Sequence, residues 1–295
     1  MQTRFFKSNS QSFKTVLFFL PAVLLLLFFF TGPMLLSIMF SFTNFSLTGS
    51  AAKAMQFVGF RNFVQIFGDP SLARAAVNTV VFLLFSGIIG QQVLGFTMAF
   101  MMKKKNRNLR RFVGFTIVTG WVTPEVVAAF MFTAFFADSG TLNAILGLFG
   151  KSPVAWLFNF PMVSVIIANI WKGSAYSMMM FQASLDSIPE EVEESAKIDG
   201  ANFRQMLARI TLPMIKGTLA ITFIMVTLGT IGMFGLIFMM TGGGPIGATT
   251  TLSVLMYEQA FVTYQLGYGT AIALLMLIVG VTLSLLYMKI IKAND

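Results

Sequence analysis

An all-α membrane protein with six transmembrane helices is the fold class this sequence predicts, on three observations. Hydrophobic residues make up 56% of the 295 and charged residues only 11%, against about 25% charged in soluble domains. Six apolar runs are long enough to cross a hydrocarbon core, which takes about 20 helical residues. The basic residues are dense in every second segment between those runs, as the positive-inside rule requires of a multi-pass chain. No internal repeat, low-complexity tract or soluble domain interrupts this pattern, so residues 1–295 read as a single transmembrane domain.

The expected spans are Val16–Phe40, Ala76–Met102, Phe112–Ala137, Pro161–Ser184, Met214–Met240 and Leu266–Ile291. The first exceeds the 7–15 apolar residues of a signal-peptide core, so it reads as a retained anchor. With the N-terminus inside, 15 of the 20 basic residues are cytoplasmic, six of them in the cluster Lys103–Arg111. Four, Lys53, Arg61, Arg74 and Lys151, are outside, and Lys172 lies within a span. Both termini and the segment between the fourth and fifth spans are then cytoplasmic. Topology thus accounts for the net charge of +9. The Lys103–Arg111 cluster sits in a short inner loop without interleaved aromatics, which fits a topology anchor and not a nucleic-acid surface.

The chain has no histidine and no cysteine. That excludes disulfides, thiol chemistry, the usual zinc sites and histidine-dependent catalysis. It also has no Walker-type phosphate loop, so no ATP site is expected on it. On the outer side, Ser41–Ala75 carries Phe57-Val58-Gly59 and Asn62-Phe63, which suit either a surface-lying amphipathic piece or a packed loop. Thr241–Gln265 opens with three glycines and Pro245, the composition of a tight turn.

Ionisable residues inside a span are costly and point to function. Glu125 lies 13 residues beyond Phe112, and Lys172 lies 13 residues before Leu185. At 1.5 Å per residue both are about 20 Å from the inner edge, on antiparallel neighbours. They form either a buried ion pair that fixes helix register or the lining of a water-filled pathway. Asn169, Lys172, Gly173 and Tyr176 share one helix face, and Trp121 and Glu125 are one turn apart. Amide, phenol and indole groups at this depth suit a sugar, whose ring wants flat apolar faces and whose hydroxyls want directional partners. Gln91 and Gln92 face the pathway or, the simpler use, bond between helices. Met178–Met180 read as adaptable packing and not as metal ligands.

The densest acidic stretch lies in the cytoplasmic loop 185–213, where six of the eleven acids fall between Asp186 and Asp199. Ser187 and Glu190 have capping-box spacing and Pro189 suits a first helical turn, so a short helix is expected up to Gly200. A second helical piece, Ala201–Ile210, should then lead to Pro213. Glu193 and Glu194 are exposed on this loop with no pocket around them, which argues against a catalytic acid–base pair.

Glu194, Ala196, Gly200, Ile210, Leu212 and Pro213 match the EAA loop of ABC-importer permeases at its full spacing, departing only at Ser195, itself a small residue. Ile188-Pro189, Ile198–Ala201, Trp156-Leu157, Asn169–Lys172 and Thr241–Pro245 are similar to carbohydrate importers of the maltose and glycerol-phosphate type. From about Phe57 onward the chain resembles the maltose-permease F-like partner. The resemblance implies the ABC type I importer permease architecture and transport by alternating access, in a bacterial or archaeal cell membrane. It further implies that Glu193, Glu194, Ser195, Ala196, Asp199, Gly200, Ala201, Ile210 and Pro213 couple this chain to a cytoplasmic ATPase. The implied partners are a second homologous permease, two ATPase copies carrying ATP and magnesium, and an extracytoplasmic sugar-binding protein. This chain itself would hold no cofactor.

The same resemblance makes Trp121, Glu125, Asn169, Lys172, Gly173 and Tyr176 the substrate pathway. Asn169, Gly173 and Tyr176 keep the residue types of the maltose site. Glu125 and Lys172 are charged where that site is neutral, and Gly229, Thr230 and Met233 replace its phenylalanine and asparagines. A charged or amino-bearing sugar is therefore expected in place of maltose. A secondary transporter using Glu125 as ion carrier gives no reason for the coupling-loop pattern, and a membrane enzyme would lack chemistry to draw on.

Overall fold

The computed structural model describes residues 17–292, and all regular structure among them is helical apart from one isolated bridge between Thr43 and Phe57. The helices are α1 Leu17–Ser41, α2 Arg61–Gly68, α3 Pro70–Met102, α4 Arg107–Val122, α5 Glu125–Phe136, α6 Thr141–Leu148 and α7 Pro161–Asp186. They continue as α8 Glu190–Ile198, α9 Phe203–Met214, α10 Lys216–Ile231, α11 Gly235–Thr241, α12 Leu252–Val262 and α13 Leu266–Lys292. Val16, the expected start of the first span, lies outside the described residues, as do Arg4, Lys7 and Lys14.

Each expected span is helical, but two are not continuous. The third breaks at Thr123-Pro124 into α4 and α5. Proline has no N–H to donate, and it disfavours helical geometry in the residue before it. The fifth does not run unbroken from Met214 to Met240. It bends by 72° between α9 and α10 and stops again at Gly232-Met233-Phe234. By length and apolarity four described helices, or five counting that bent pair, could cross a membrane. Lys172 and the hydroxyls around it make α7 less apolar than the others, though its 26 residues are long enough.

The chain groups into two compact units, one made of the chain up to Gly68 with Glu258–Leu274, the other of Asp69–Tyr257 with the chain from Leu275. In the first unit, Asn62 of α2 is buried and its Nδ2 donates to the carbonyls of Ser41 and Thr43, each at 2.8 Å. Phe60, Val64 and Phe67 stay exposed on the other face. Arg61–Gly68 is thus packed and amphipathic at once.

In the second unit, α7 is the hub, contacted by α3, α4, α5, α10 and α11. Between helices in lipid there is little hydrophobic drive, because the tails are as apolar as leucine; close approach of small residues and interhelical hydrogen bonds decide the packing. Gly95 of α3 accordingly lies against Ser177 of α7, and Ala99 packs in the cluster with Met178 and Phe181. Two apolar clusters sit at the two ends of α7. One holds Phe82, Phe136, Val165 and Leu236, the other Met178, Phe181, Leu185 and Ile215. Asn169–Tyr176 lies between them. After α11 the glycine turn follows expectation: Arg74 Nη1 donates to the Ile246 carbonyl at 3.0 Å, and Asn78 Nδ2 donates to Gly247 and Thr250.

Candidate functional site

The break after Val122 turns one helix into two helix ends in mid-span. Thr123 caps the C-terminus of α4, and Glu125 is the first residue of α5. Unpaired carbonyls make a helix C-terminus partly negative, and unpaired N–H groups make an N-terminus partly positive. Each charged side chain here meets the end of opposite sign. Lys172 Nζ donates to the Thr123 carbonyl at 2.7 Å, and the Glu125 carboxylate sits on the first turn of α5. Among the described residues the ion pairs involve Lys103, Lys104 and Glu193, and Arg110 with Asp186. The register-fixing Glu125–Lys172 bridge is therefore not what the structure adopts.

All six residues expected of the pathway, Trp121, Glu125, Asn169, Lys172, Gly173 and Tyr176, line one cavity of about 260 Å³. Trp121 and Tyr176 form its aromatic wall, their rings 6.3 Å apart and inclined by 31°. Met225, Gly229, Thr230 and Met233 of the α10 segment close another side. Asn169 plays a different part from the one expected. It is buried, and its Nδ2 donates to Ser86 Oγ at 2.7 Å, which leaves that donor group tied to α3.

Gln91 also lines the cavity, and its Nε2 donates to the Asn169 carbonyl at 3.1 Å. It therefore fills both roles that the sequence left open. A Cβ on Gly173 would meet the amide end of the Gln91 side chain, so a larger residue there would push that amide from its place in the cavity. Gln92, in contrast, is buried with no protein partner for its amide among the described residues. A π-helical stretch, Leu83–Gln91, ends at the first of these glutamines. Such turns cluster at functional sites and leave no mark in hydrophobic periodicity.

The second candidate region is α8 with the corner after it. Glu190 does begin the helix, but Ser187 does not cap it: its hydroxyl donates back to the Ser184 carbonyl at the end of α7. The capping box lies one helix later, where Asn202 and Gln205 bond reciprocally at 2.9 Å each. That cap moves the start of the second helical piece from Ala201 to Phe203, and α9 then runs past Ile210 to Met214, with Pro213 inside it. Gly200 adopts φ +78, the left-handed conformation that ends α8 and that a side chain would strain.

Burial divides the expected coupling residues. Glu193 and Ala196 are buried and anchor α8, while Glu194, Ser195, Asp199 and Gly200 are exposed. Ala201 and Ile210 are half-buried and Pro213 is exposed. Ile198, part of the Ile198–Ala201 motif but not of the expected coupling set, is 86% exposed beside the glycine corner. Glu193 is bonded to Lys103, with Lys104 Nζ 3.4 Å from its second oxygen. Burial pushes its carboxyl up, but bonding to Lys103 and Lys104 outweighs that and holds it below the usual carboxylate value.

Helices broken around a polar cavity, with a built helix–glycine–helix loop on the same bundle, define a solute permease. The chain belongs to the family described as binding-protein-dependent transport system inner membrane component, which matches residues 91–293. The sulfoquinovosyl glycerol transport system permease protein of Agrobacterium fabrum is 30% identical over 95% of this chain and 91% of its own length. The trehalose/maltose transport system permease protein of Thermococcus litoralis is 31% identical over 79% of each chain. A subunit of a bacterial ABC transporter involved in the import of the acidic polysaccharide alginate has the same fold. Its TM-score is 0.83 at 24% identity, over 98% of this chain and 99% of that one. The protein is thus a multi-pass membrane permease component of an ABC importer and not an enzyme.

Proposed function

We propose that this permease moves a carbohydrate carrying a charged or amino substituent, delivered by an extracytoplasmic binding protein, through the cavity between α3, α4, α5, α7 and α10. The observation that carries the reading is that Glu125 and Lys172 both line that cavity without bonding to each other, Lys172 on the carbonyl that ends α4 and Glu125 in the first turn of α5. Broken helices that aim their termini at a mid-membrane site are how membrane transporters hold charged groups of a solute. The relatives' cargoes, sulfoquinovosyl glycerol and trehalose/maltose, support a carbohydrate. Trp121 and Tyr176 would take the sugar faces, and Lys172 and Glu125 its charged groups, with Gly173 leaving room for Gln91.

Transport would proceed by alternating access. The ATPase copies, which alone would hold ATP and magnesium, dock on the exposed face at Glu194, Ser195, Ile198, Asp199 and Gly200. Glu193, Ala196, Ala201, Ile210 and Pro213 carry the movement into α9 and α10. A second homologous permease completes the pathway, six spans cross the membrane, and both termini face the cytoplasm, following the distribution of Lys and Arg. The test is uptake of the native sugar by the Glu125→Gln/Lys172→Met variant, with expression measured alongside. The variant should reach the membrane and lose transport; full transport would remove both residues from the site.

A further inference from the structure

A second cavity, of about 380 Å³, opens where the loop after α3 meets α8 and α9. Its lining is of two kinds. Four lysines, Lys103, Lys104, Lys105 and Lys197, line it with the carboxylate of Glu193. The apolar part includes Phe100, Met101, Phe203 and Met206, and of these Met101 and Phe203 are 60% and 62% exposed. Lys103 is taken up by Glu193, and Lys104 lies 3.4 Å from that carboxylate with its side chain 65% exposed. Lys105 and Lys197 are exposed too. Among the lining residues four cations stand against one anion, and with Glu190 also acting on Lys104 an excess of positive charge remains. That excess sits beside exposed apolar side chains at the end of a membrane-spanning helix.

We infer that this cavity binds an anionic phospholipid, its headgroup on Lys104, Lys105 and Lys197 and its acyl chain along Met101 and Phe203. A soluble anion would use the lysines and leave the apolar wall wet, and an apolar ligand would leave the lysines uncompensated. An anionic amphiphile lying at the membrane boundary satisfies both halves, and basic pockets between helices at that level take such headgroups. Because α8 and α9 supply one wall, the bound lipid steadies the loop that carries Gly200. None of the three headgroup lysines belongs to the coupling set, and Lys103 is left in place to hold Glu193.

The experiment uses the full-length permease, purified with whatever subunits accompany it, and reads bound lipid by native mass spectrometry and the thermal midpoint. Phosphatidylglycerol should bind and raise the midpoint, while phosphatidylcholine and inorganic phosphate should not. The Lys104→Gln/Lys105→Gln/Lys197→Gln variant should lose about 100-fold in apparent affinity, at the usual worth of a juxtamembrane lysine. An Arg107→Gln/Arg111→Gln/Lys289→Gln control, which removes equal charge at exposed residues outside the cavity lining, should keep it. Equal loss in both variants would reduce the effect to general surface charge. An equal response to inorganic phosphate would make the cavity an anion site without a lipid, and no response of the wild-type protein to phosphatidylglycerol would dispose of the idea outright.

Discussion

Lys103 illustrates how a residue that sequence assigns to topology acquires a second task. It belongs to the Lys103–Arg111 cluster, which the positive-inside count reads as a topology anchor, yet its side chain is only 11% exposed and bonds Glu193 of α8. Removing the carboxylate would strand a nearly buried ammonium. Glu193→Gln should therefore lower stability by about 1–3 kcal/mol, whereas Lys103→Met/Glu193→Met should recover much of it. The sign with pH follows from the lowered carboxyl. The pair's contribution is complete above the ordinary value of 4.5 and is lost as pH falls from there through the lowered one. Thermal midpoints of the purified protein between pH 7 and pH 3 check this: the wild type should fall below pH 4.5 and the double Met variant should fall less. Asn169, Lys172, Gly173 and Tyr176 were legible because helical spacing puts them on one face of α7, whereas Trp121 and Glu125, expected one turn apart on one helix, reach the cavity from either side of the break. What Lys172 bonds was not. Its acceptor is the Thr123 carbonyl, which is free only because the helix ends there.

At the scale of elements, that break and the loop at Gly200 were unequally legible. Pro124 is a plain signal for a helix boundary. It was read through because the residues on either side of Thr123-Pro124-Glu125 are apolar enough to count as one run from Phe112 to Ala137, and prolines are tolerated in membrane spans. The misplaced capping box has a similar cause. Ser187 has the right spacing to Glu190, but its hydroxyl finds the Ser184 carbonyl of the preceding helix first, as serines near helix C-termini do. Gly200 was read correctly because φ +78 is open to glycine at no cost. From it comes a coupling prediction. A β-branched residue at φ +78 is strained and would tilt the exposed face at Glu194 and Ile198. Gly200→Val should leave the permease in the membrane at normal level while weakening ATPase co-purification and abolishing uptake. Normal uptake at normal expression would detach this corner from coupling.

The whole molecule repeats the lesson of its parts. Amino-acid composition, run length and the placement of Lys and Arg were enough for a helical multi-pass protein. They carry no information on where helices bend, so the 72° turn between α9 and α10 appears only in three dimensions. Orientation is checkable from outside the cell. Cysteines introduced at Lys105 and Asn202, in a chain that has none, should react only with membrane-permeant reagent, and one at Lys151 with an impermeant reagent. Reaction from the opposite side at any of them would reverse the assigned topology.

The proposed role is the sugar pathway of an ATP-driven importer, worked through the loop after α7. Its most direct test is sugar uptake by vesicles holding the assembled transporter, with loaded binding protein outside and ATP inside, ion gradients collapsed. Uptake should depend on ATP, persist without any gradient, and vanish in Gly200→Val. Uptake driven by a proton or sodium gradient in the absence of ATP would contradict it.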